Sequence, residues 1–391
     1  MQSPAETVAK SVEELDKLLS EGHRPQGSEG ATKSLESRFL EASPVHSRLR
    51  HLKQLYGAHP SIEERFNYRK YLHSTNADTL ANMRSYHRVL AQMAASLKTP
   101  QFAQGGLKRF LDLGCSPGGF SNWLLENNKD ARGIGITLPD EEARWAMVVE
   151  GTELEGQRYE LRFADLISLV NASIAKGENP TTSANTDSGL SLESKLIPFD
   201  LVIAGAFPTL AEGRVSTRYR IQLALSQLLI LFCSLRRGGD AIIVTNTKTK
   251  GWIVEITALL RRCFSAIAAG KGSYLHAERS SCYLVCTDFC ATDDQIADSI
   301  QILKNALARV GGVEDKQPVL DREGCEEIDE GEKWRELLQF SNWTVEELFE
   351  AEHRFLLDLF EPVWQKQHDA IYNSFVRMLN REGESLCGAE G

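Results

Sequence analysis

The most informative chemical pattern lies in a short glycine-rich stretch. Residues 110–125 read FLDLGCSPGGFSNWLL, in which a buried strand pattern runs into a glycine turn and then into an amphipathic helix pattern. A ligand can approach such a turn closely, because a Cβ at Gly114 or Gly118 would collide with it, and the first N–H groups of the following helix face the same space. The turn therefore predicts a site for a nucleoside-bearing cofactor. The alternative is a tight strand-to-helix connection that binds nothing.

The spacing within this turn distinguishes two classes of cofactor. A dinucleotide site usually reads G-x-G-x-x-G with an acid near the end of the next strand. Pro117-Gly118-Gly119 and the absence of an acid at the end of the second strand disfavour a nucleotide-binding dehydrogenase here. The order from Asp112 to Phe120 is D-L-G-C-S-P-G-G-F. It resembles motif I of the class I S-adenosylmethionine-dependent methyltransferases, and within them the FtsJ-like RNA 2'-O-methyltransferase group. The resemblance implies S-adenosylmethionine as the cofactor and the following residues as its loop: Asp112, Gly114, Ser116, Pro117, Gly118, Gly119 and Phe120.

The same resemblance implies two further cofactor-binding positions. Asp165, in FADL, falls where the family has an acid that accepts a hydrogen bond from the adenine amino group. A helix N-cap is the alternative role for Asp165. Thr137, in GIGITLPDE, stands where the family has an acid at the end of the second strand, and Asp140 or Glu141 could reach the ribose hydroxyls instead.

The residues expected at the methyl acceptor depart from the family. Members that methylate a ribose 2'-hydroxyl resemble one another in a Lys-Asp-Lys-Glu tetrad, which lowers the effective pKa of the hydroxyl and orients it. The matching positions here are Arg88, Gly205, Val244 and Ser281, and none carries the tetrad residue. This difference matters because a ribose hydroxyl is a poor nucleophile until a base assists it, an effect of ~10²–10⁴ in rate.

Other residues near the same sheet edge could replace the tetrad. Lys248 and Lys250 follow the expected fifth strand, and Glu278 precedes Ser281 by three residues. Together with Arg88 they are the candidates for catalysis, with ordinary surface charge as the alternative for each. A phenolate, an amine or a heterocyclic nitrogen on a small molecule would need no tetrad, because positioning alone supplies much of the rate of methyl transfer.

These observations predict an S-adenosylmethionine-dependent methyltransferase that acts on RNA, at a ribose 2'-hydroxyl, or on another acceptor such as a small molecule. The alternative is a catalytically silent paralogue that binds the cofactor or RNA and works as a subunit or scaffold.

The elements around these residues alternate between strand and helix patterns. This alternation predicts an α/β fold, a Rossmann-like and mostly parallel sheet with helices on both faces and with helical N- and C-terminal extensions. Ligands bind beyond the carboxyl ends of such strands, so the loops at Gly114, Thr137, Asp165, Gly205 and Thr245 should converge on one crevice. The expected strands are 109–113, 133–137, 160–163, 199–203, 240–245 and 281–287.

Composition along the chain suggests four segments. Residues 1–44 are predicted as a flexible N-terminal segment with a short helix, and residues 45–100 as a basic helical segment. The methyltransferase-like domain is expected over 101–295, with a variable insertion at 171–197, and an acidic helical extension over 296–391.

Charge is distributed unevenly along the 391 residues. Residues 313–391 hold 20 acids and 8 bases, a net of −12, although the whole chain has a formal net charge of only −10. Between Arg48 and Arg109 there are 11 Lys or Arg against 3 acids, with aromatic residues interleaved. Basic and aromatic side chains suit a phosphate backbone and stacked bases, so segment 48–109 predicts an RNA surface; a solvated helix face is the alternative. The acidic helices are a candidate surface for a protein partner.

Cysteine usage and hydropathy limit the remaining classes. Cys282, Cys286 and Cys290 are four residues apart, but they fall on an expected strand without a fourth nearby ligand, so free thiols are favoured and no metal site is predicted. No apolar run approaches the ~20 residues that span a membrane, and the first residues are polar. An intracellular protein, cytoplasmic or nuclear, is expected.

Overall fold

The computed structural model describes residues 8–21, 34–62, 79–97, 100–139, 142, 145–148, 158–177, 198–208, 215–313, 329–338 and 340–387. Within these residues a seven-stranded sheet runs in the order β3-β2-β1-β4-β5-β7-β6. Strands β1 to β5 pair in parallel, and β7 pairs antiparallel with both β5 and β6. The strands are β1 Arg109–Leu113, β2 Arg132–Thr137, β3 Tyr159–Phe163, β4 Phe199–Ala204, β5 Leu235–Asn246, β6 Phe264–Gly270 and β7 Ser281–Phe289.

Helices cover both faces of this sheet and extend beyond it. Helices α4 and α5 pack together on one face, and α6, α7, α8 and α9 lie on the other. The helices are α1 Val12–Glu21, α2 Leu35–Ala42, α3 Pro44–Ala58, α4 Thr79–Ser96, α5 Gly119–Asn127, α6 Leu166–Ala175, α7 Thr217–Ser234, α8 Gly251–Cys263, α9 Asp293–Gly311, α10 Asp329–Leu338 and α11 Val345–Cys387.

The alternation of side chains along the central strands divides the core between the two faces. In β1, Phe110 packs with the α4 and α5 face, whereas Leu111 and Leu113 pack with the opposite face. This two-residue period is what a strand covered on both sides requires. The expected α/β class with a mostly parallel sheet and helical extensions is confirmed.

The terminal helices form a layer against the same core. The His46 ring of α3 stacks on Trp364 of α11 with ring centroids 4.2 Å apart, and Phe39 of α2 meets Phe349 of α11 edge to face. The apolar stripe expected on the C-terminal extension packs on the domain, since Leu348, Leu356 and Phe360 are buried. We call α1, α2, α3 and α11 the terminal helical layer.

Several elements differ from the expected boundaries. Strand β6 was not expected, because it follows α8 without a turn and reads FSAIAAG, a sequence without alternation. Strand β5 begins at Leu235, which pairs with Phe199, rather than at Asp240. Residues 171–175 of the expected insertion belong to α6, and 178–197 lie outside the described residues. Residues 22–33 and 63–78 of the expected N-terminal segments also lie outside them.

Candidate functional site

A cavity of about 530 Å³ opens at the carboxyl ends of the parallel strands. The loops after β1, β2, β3, β4 and β5 all contribute to its wall, and the amino end of the antiparallel strand β7 meets them at the same edge. The structure therefore brings together the loops that the sequence placed at one crevice. The lining residues at these loops include Ser116, Thr137, Asp165, Gly205, Lys248 and Ser281.

The loop between β1 and α5 forms one side of the cavity. Most of the residues that the motif predicted line it: Asp112, Gly114, Ser116, Pro117, Gly119 and Phe120. Gly118, which is not among the lining residues, is the N-cap of α5 and has a φ of 101°. Glycine has no side chain that could cap the helix end. The N-terminal turn of α5 thus begins at the cavity wall, where its N–H groups and dipole favour negative charge.

Contacts within the protein also require glycine at two positions of this loop. A Cβ on Gly114 would lie 2.3 Å from the Cα of Ala206 in the loop after β4. A Cβ on Gly118 would lie 2.3 Å from the carbonyl oxygen of Val148. Both residues also have positive φ, which disfavours any L side chain. Neighbouring loops therefore pack directly on the backbone of the motif and hold its shape.

Asp112 supports the loop from beneath. Its carboxylate is buried, accepts a hydrogen bond of 2.7 Å from Ser121 Oγ, and lies in the same network as the Tyr159 hydroxyl. Burial raises the pKa of Asp112 to about 7, because water no longer stabilises the charged form. Asp112 thus ties β1 to the first turns of α5 at the floor of the cavity.

The ends of β2 and β3 contribute the next two predicted residues. Thr137 and Asp165 both line the cavity, and Asp140 and Glu141 lie outside the described residues. The Asp165 carboxylate accepts hydrogen bonds from Ile167 N and Ser168 N, so it caps α6 as the alternative interpretation required. Capping and exposure to the cavity coexist at this residue.

The positions that correspond to the tetrad fall into two groups. Gly205, Val244 and Ser281 line the cavity, so the register deduced for the last three positions brings them together. Arg88 is exposed on α4 and is not among the lining residues, whereas Tyr86 of the same helix is. A helix turns by about 100° per residue, so Tyr86 and Arg88, which are two positions apart on α4, point in nearly opposite directions.

The remaining catalytic candidates are also divided. Lys248 and Lys250 line the cavity, whereas Glu278 does not. Glu278 Oε2 instead accepts from the Tyr56 hydroxyl at 3.4 Å, and its backbone oxygen accepts from Gln367 Nε2 at 2.9 Å. Glu278 thus joins the loop before β7 to the terminal helical layer.

Aromatic residues that the sequence did not single out for this site also line the cavity. Tyr86 lies edge to face with Trp145 and with His276, at centroid distances of 6.3 and 5.9 Å. Trp252 and Phe207 also line the cavity. We call the part of the cavity lined by these aromatic residues and by Lys248, Lys250 and Arg279 the acceptor half, and the part lined by the β1–α5 loop, Thr137 and Asp165 the cofactor half.

A lysine from outside the sheet reaches the edge of the acceptor half. Lys53 Nζ on α3 donates to Ser280 Oγ at 3.1 Å, and Ser280 lines the cavity. Burial, and then the positive charges of Lys248 and Lys271, lower the pKa of Lys53 to about 7. Lys53 belongs to the expected basic segment, but its partly buried position beside Ser280 at the cavity edge could not be predicted from the sequence.

The terminal helical layer also forms hydrogen bonds to the backbone of both loops that flank the acceptor half. Trp364 Nε1 donates to Thr247 O at 2.9 Å, directly before Lys248. Lys366 Nζ donates to Lys271 O at 2.6 Å, in the loop before β7. Tyr56, one of the aromatic residues of the expected RNA surface, is buried against Phe375 of α11 and is not available to stack on a base.

The sheet order and the glycine loop at the carboxyl ends of the strands define a Rossmann-like methyltransferase of class I. A family model described as FtsJ-like methyltransferase matches residues 90–289, just over half of the 391 residues, and the chain belongs to this family. S-adenosylmethionine is accordingly its cofactor. No curated protein matches the chain.

Solved structures resemble the chain at low identity. A putative ribosomal RNA methyltransferase from Plasmodium falciparum is 16% identical, with 54% of this chain and 98% of that chain covered and a TM-score of 0.34. Human methyltransferase-like protein 13, in complex with SAH, is 13% identical, with 60% and 96% covered and a TM-score of 0.34. Because these TM-scores are below 0.5, the family assignment depends on the family model and not on these neighbours.

The cofactor half suits this cofactor. Ser116 Oγ is buried and has no hydrogen-bond partner among the described residues, at a loop that opens to the cavity. Buried hydroxyls are normally paired, so this oxygen indicates room for a polar ligand group. The described part of the chain contains no group of His, Cys, Asp or Glu side chains arranged for a metal, and none of its helices has the length and apolarity to cross a membrane.

Proposed function

We propose that the protein is an active S-adenosylmethionine-dependent methyltransferase whose acceptor is a nucleotide of RNA. One observation carries this proposal: a single cavity joins the motif I loop to a half lined by aromatic rings and cationic side chains. Aromatic rings stack on bases, and Lys or Arg side chains bind phosphates, so the acceptor half suits a nucleotide better than a small phenol or amine.

The cofactor half would hold S-adenosylmethionine with residues of three loops. The β1–α5 loop with Ser116 would bind the methionine end, Thr137 would lie toward the ribose, and Asp165 toward the adenine. When bound, the cofactor supplies an electrophilic methyl group on a sulfonium. The task that remains for the chain is to position the acceptor and to remove its proton.

Lys53 and Ser280 offer a route for that proton. The tetrad positions carry Gly205, Val244 and Ser281, and neither a glycine nor a valine can accept a proton. A lysine with a pKa of about 7 is partly a neutral amine near neutral pH, so it can act as a base. In this proposal the acceptor hydroxyl loses its proton to Lys53 Nζ through Ser280 Oγ.

The test is methyl transfer from S-adenosylmethionine with a tritiated methyl group to total cellular RNA. We expect tritium in RNA with the wild-type protein and none with Gly118→Ala, which disrupts the cofactor loop. A parallel incubation with a small-molecule extract checks the other acceptor class. Label in the extract alone would show that the acceptor proposal is wrong while the enzyme proposal stands.

The missing tetrad favours one competing function, a catalytically silent paralogue that binds the cofactor or RNA as a subunit. Isothermal titration separates the two. Binding of S-adenosylmethionine without methyl transfer to RNA or to small molecules would support the silent paralogue.

A further inference from the structure

The N-terminus of α8 faces the acceptor half of the cavity. Helix α8 has 13 residues, and its N-cap residue Lys250 makes no side-chain hydrogen bond to the helix end. Lys248, Lys250 and Trp252 all line the cavity around this terminus. The first N–H groups of a helix have no partner within the helix, and the helix dipole places positive potential there.

A second observation at this terminus indicates a ligand. The Trp252 side chain is buried, with 8% of the residue exposed, and its indole N–H has no acceptor within the described parts of the chain. An indole nitrogen can only donate a hydrogen bond, and buried donors are normally paired. Thr249, which is fully buried between Lys248 and Lys250, likewise has a hydroxyl for which the described residues provide no partner.

The charged side chains around the acceptor half indicate whether that ligand is an anion or a cation. Among the described residues, the charged side chains that line this half are Lys248, Lys250 and Arg279. Two carboxylates of the described residues, those of Asp112 and Asp165, line the cofactor half. Cationic side chains together with an indole donor favour an anion with several acceptor oxygens.

We infer that the N-terminus of α8, with Lys248, Lys250 and the Trp252 indole N–H, is a subsite for one phosphate group of the acceptor. The inference rests on the proposed function, because it assigns the phosphate to the RNA nucleotide that is methylated. A phosphate has enough unshared oxygens to accept from the indole, from a helix N–H and from a lysine together. It would anchor the nucleotide on the wall that carries the tetrad position Val244.

The direct test is a titration of the full chain with inorganic phosphate, followed by ¹⁵N NMR of the indole N–H groups. The Trp252 resonance is assigned by its absence in Trp252→Phe. We expect phosphate to shift this resonance, and Lys250→Ala to weaken phosphate binding about tenfold through the loss of one charge-assisted hydrogen bond. Lys129→Ala, which removes an exposed lysine outside the cavity, should leave the affinity unchanged.

Two results would overturn the subsite. One is a Trp252 resonance that phosphate does not move, and the other is equal phosphate affinity in Lys250→Ala and Lys129→Ala. Lys250→Ala needs no change to the buried Trp252, so the test does not depend on the folding of Trp252→Phe.

The RNA methylation assay distinguishes this failure from that of the proposed function. If phosphate shifts Trp252 but RNA is not methylated, the anion site stands and the proposed function fails. If RNA is methylated while phosphate leaves Trp252 unmoved, the subsite alone is wrong. With both correct, Lys250→Ala should raise the KM for RNA and leave the affinity for S-adenosylmethionine unchanged.

Discussion

Gly118 and Gly177 both have left-handed backbone conformations, with φ of 101° and 69°, but their surroundings differ. A Cβ at Gly118 would meet the Val148 carbonyl oxygen at 2.3 Å, whereas no atom of the described residues lies within 4 Å of a Cβ at Gly177. Gly177→Ala should therefore cost only the backbone strain, about 1 kcal/mol of unfolding free energy. Gly118→Ala adds the clash, for a loss of roughly 2–5 kcal/mol, and should abolish S-adenosylmethionine binding.

Urea denaturation and isothermal titration of both variants test this comparison. Equal losses of stability would show that the contact with Val148 relaxes at no cost. Undiminished cofactor binding by a folded Gly118→Ala would remove the β1–α5 loop from the cofactor site.

Lys53 should make stability depend on pH in a predictable direction. Its pKa is about 7 in the folded protein and near 10.5 when unfolded, so the unfolded chain binds more protons between these values. The contribution of Lys53 to the unfolding free energy therefore rises as the pH increases from about 7 to 10.5. Below pH 7 Lys53 is protonated in both states, and burial of its charge lowers the unfolding free energy by the full amount. Lys53→Met should raise the melting temperature most at about pH 6 and progressively less toward about pH 10.

Thermal unfolding across this pH range, with the exposed Lys17→Met as the control, measures the effect. Lys53→Met should also abolish methyl transfer while S-adenosylmethionine still binds. A gain that is constant with pH would show that Lys53 titrates near its ordinary value, and full activity would exclude it as the base.

At the scale of elements, α11 determines the geometry of the loop after β5. Trp364→Phe keeps an aromatic ring against His46 but removes the donor to Thr247 O, at a cost of about 1 kcal/mol. We expect faster hydrogen exchange at residues 245–250 and a higher KM for RNA, with unchanged affinity for S-adenosylmethionine. Trp343→Phe, at a tryptophan that is 39% exposed, is the matched control. Equal exchange in the two variants would contradict a positioning role for α11.

The sequence predicted the elements whose signals are local. Strand β1 and its glycine loop were predicted in full, because buried strand, turn and helix patterns follow one another within 16 residues. Strand β6 was missed because it is an edge strand with small residues, and its pairing with β7 is long-range. Lys53 and Trp364 reach the site by contacts between residues far apart in the chain, which no spacing or periodicity records.

At the scale of the whole molecule, the acidic C-terminal extension packs on the chain's own N-terminal helices. Glu346 pairs with Arg38, Glu361 accepts from Ser43 Oγ at 2.6 Å, and the Tyr372 hydroxyl donates to Asp16 at 2.8 Å. These contacts place part of the excess negative charge against the N-terminal segment. A protein partner for the acidic helices stays a prediction, to be sought on the exposed side of α11.

The family match ends at residue 289, but the hydrophobic core does not. One continuous cluster of buried side chains includes Leu52 of α3, Val254 of α8 and Phe360 of α11, so the terminal helical layer and the sheet share their interior. Residues 90–289 alone would expose the apolar surface that α3 and α11 cover, and would lose the contacts to Thr247 and Glu278.

We expect the full chain to unfold in one cooperative transition, and the 90–289 fragment to be aggregation-prone or to unfold without cooperativity. Calorimetry and S-adenosylmethionine titration of both proteins test this. A fragment that unfolds cooperatively at the same temperature and binds the cofactor equally well would show that the terminal helical layer is an independent unit.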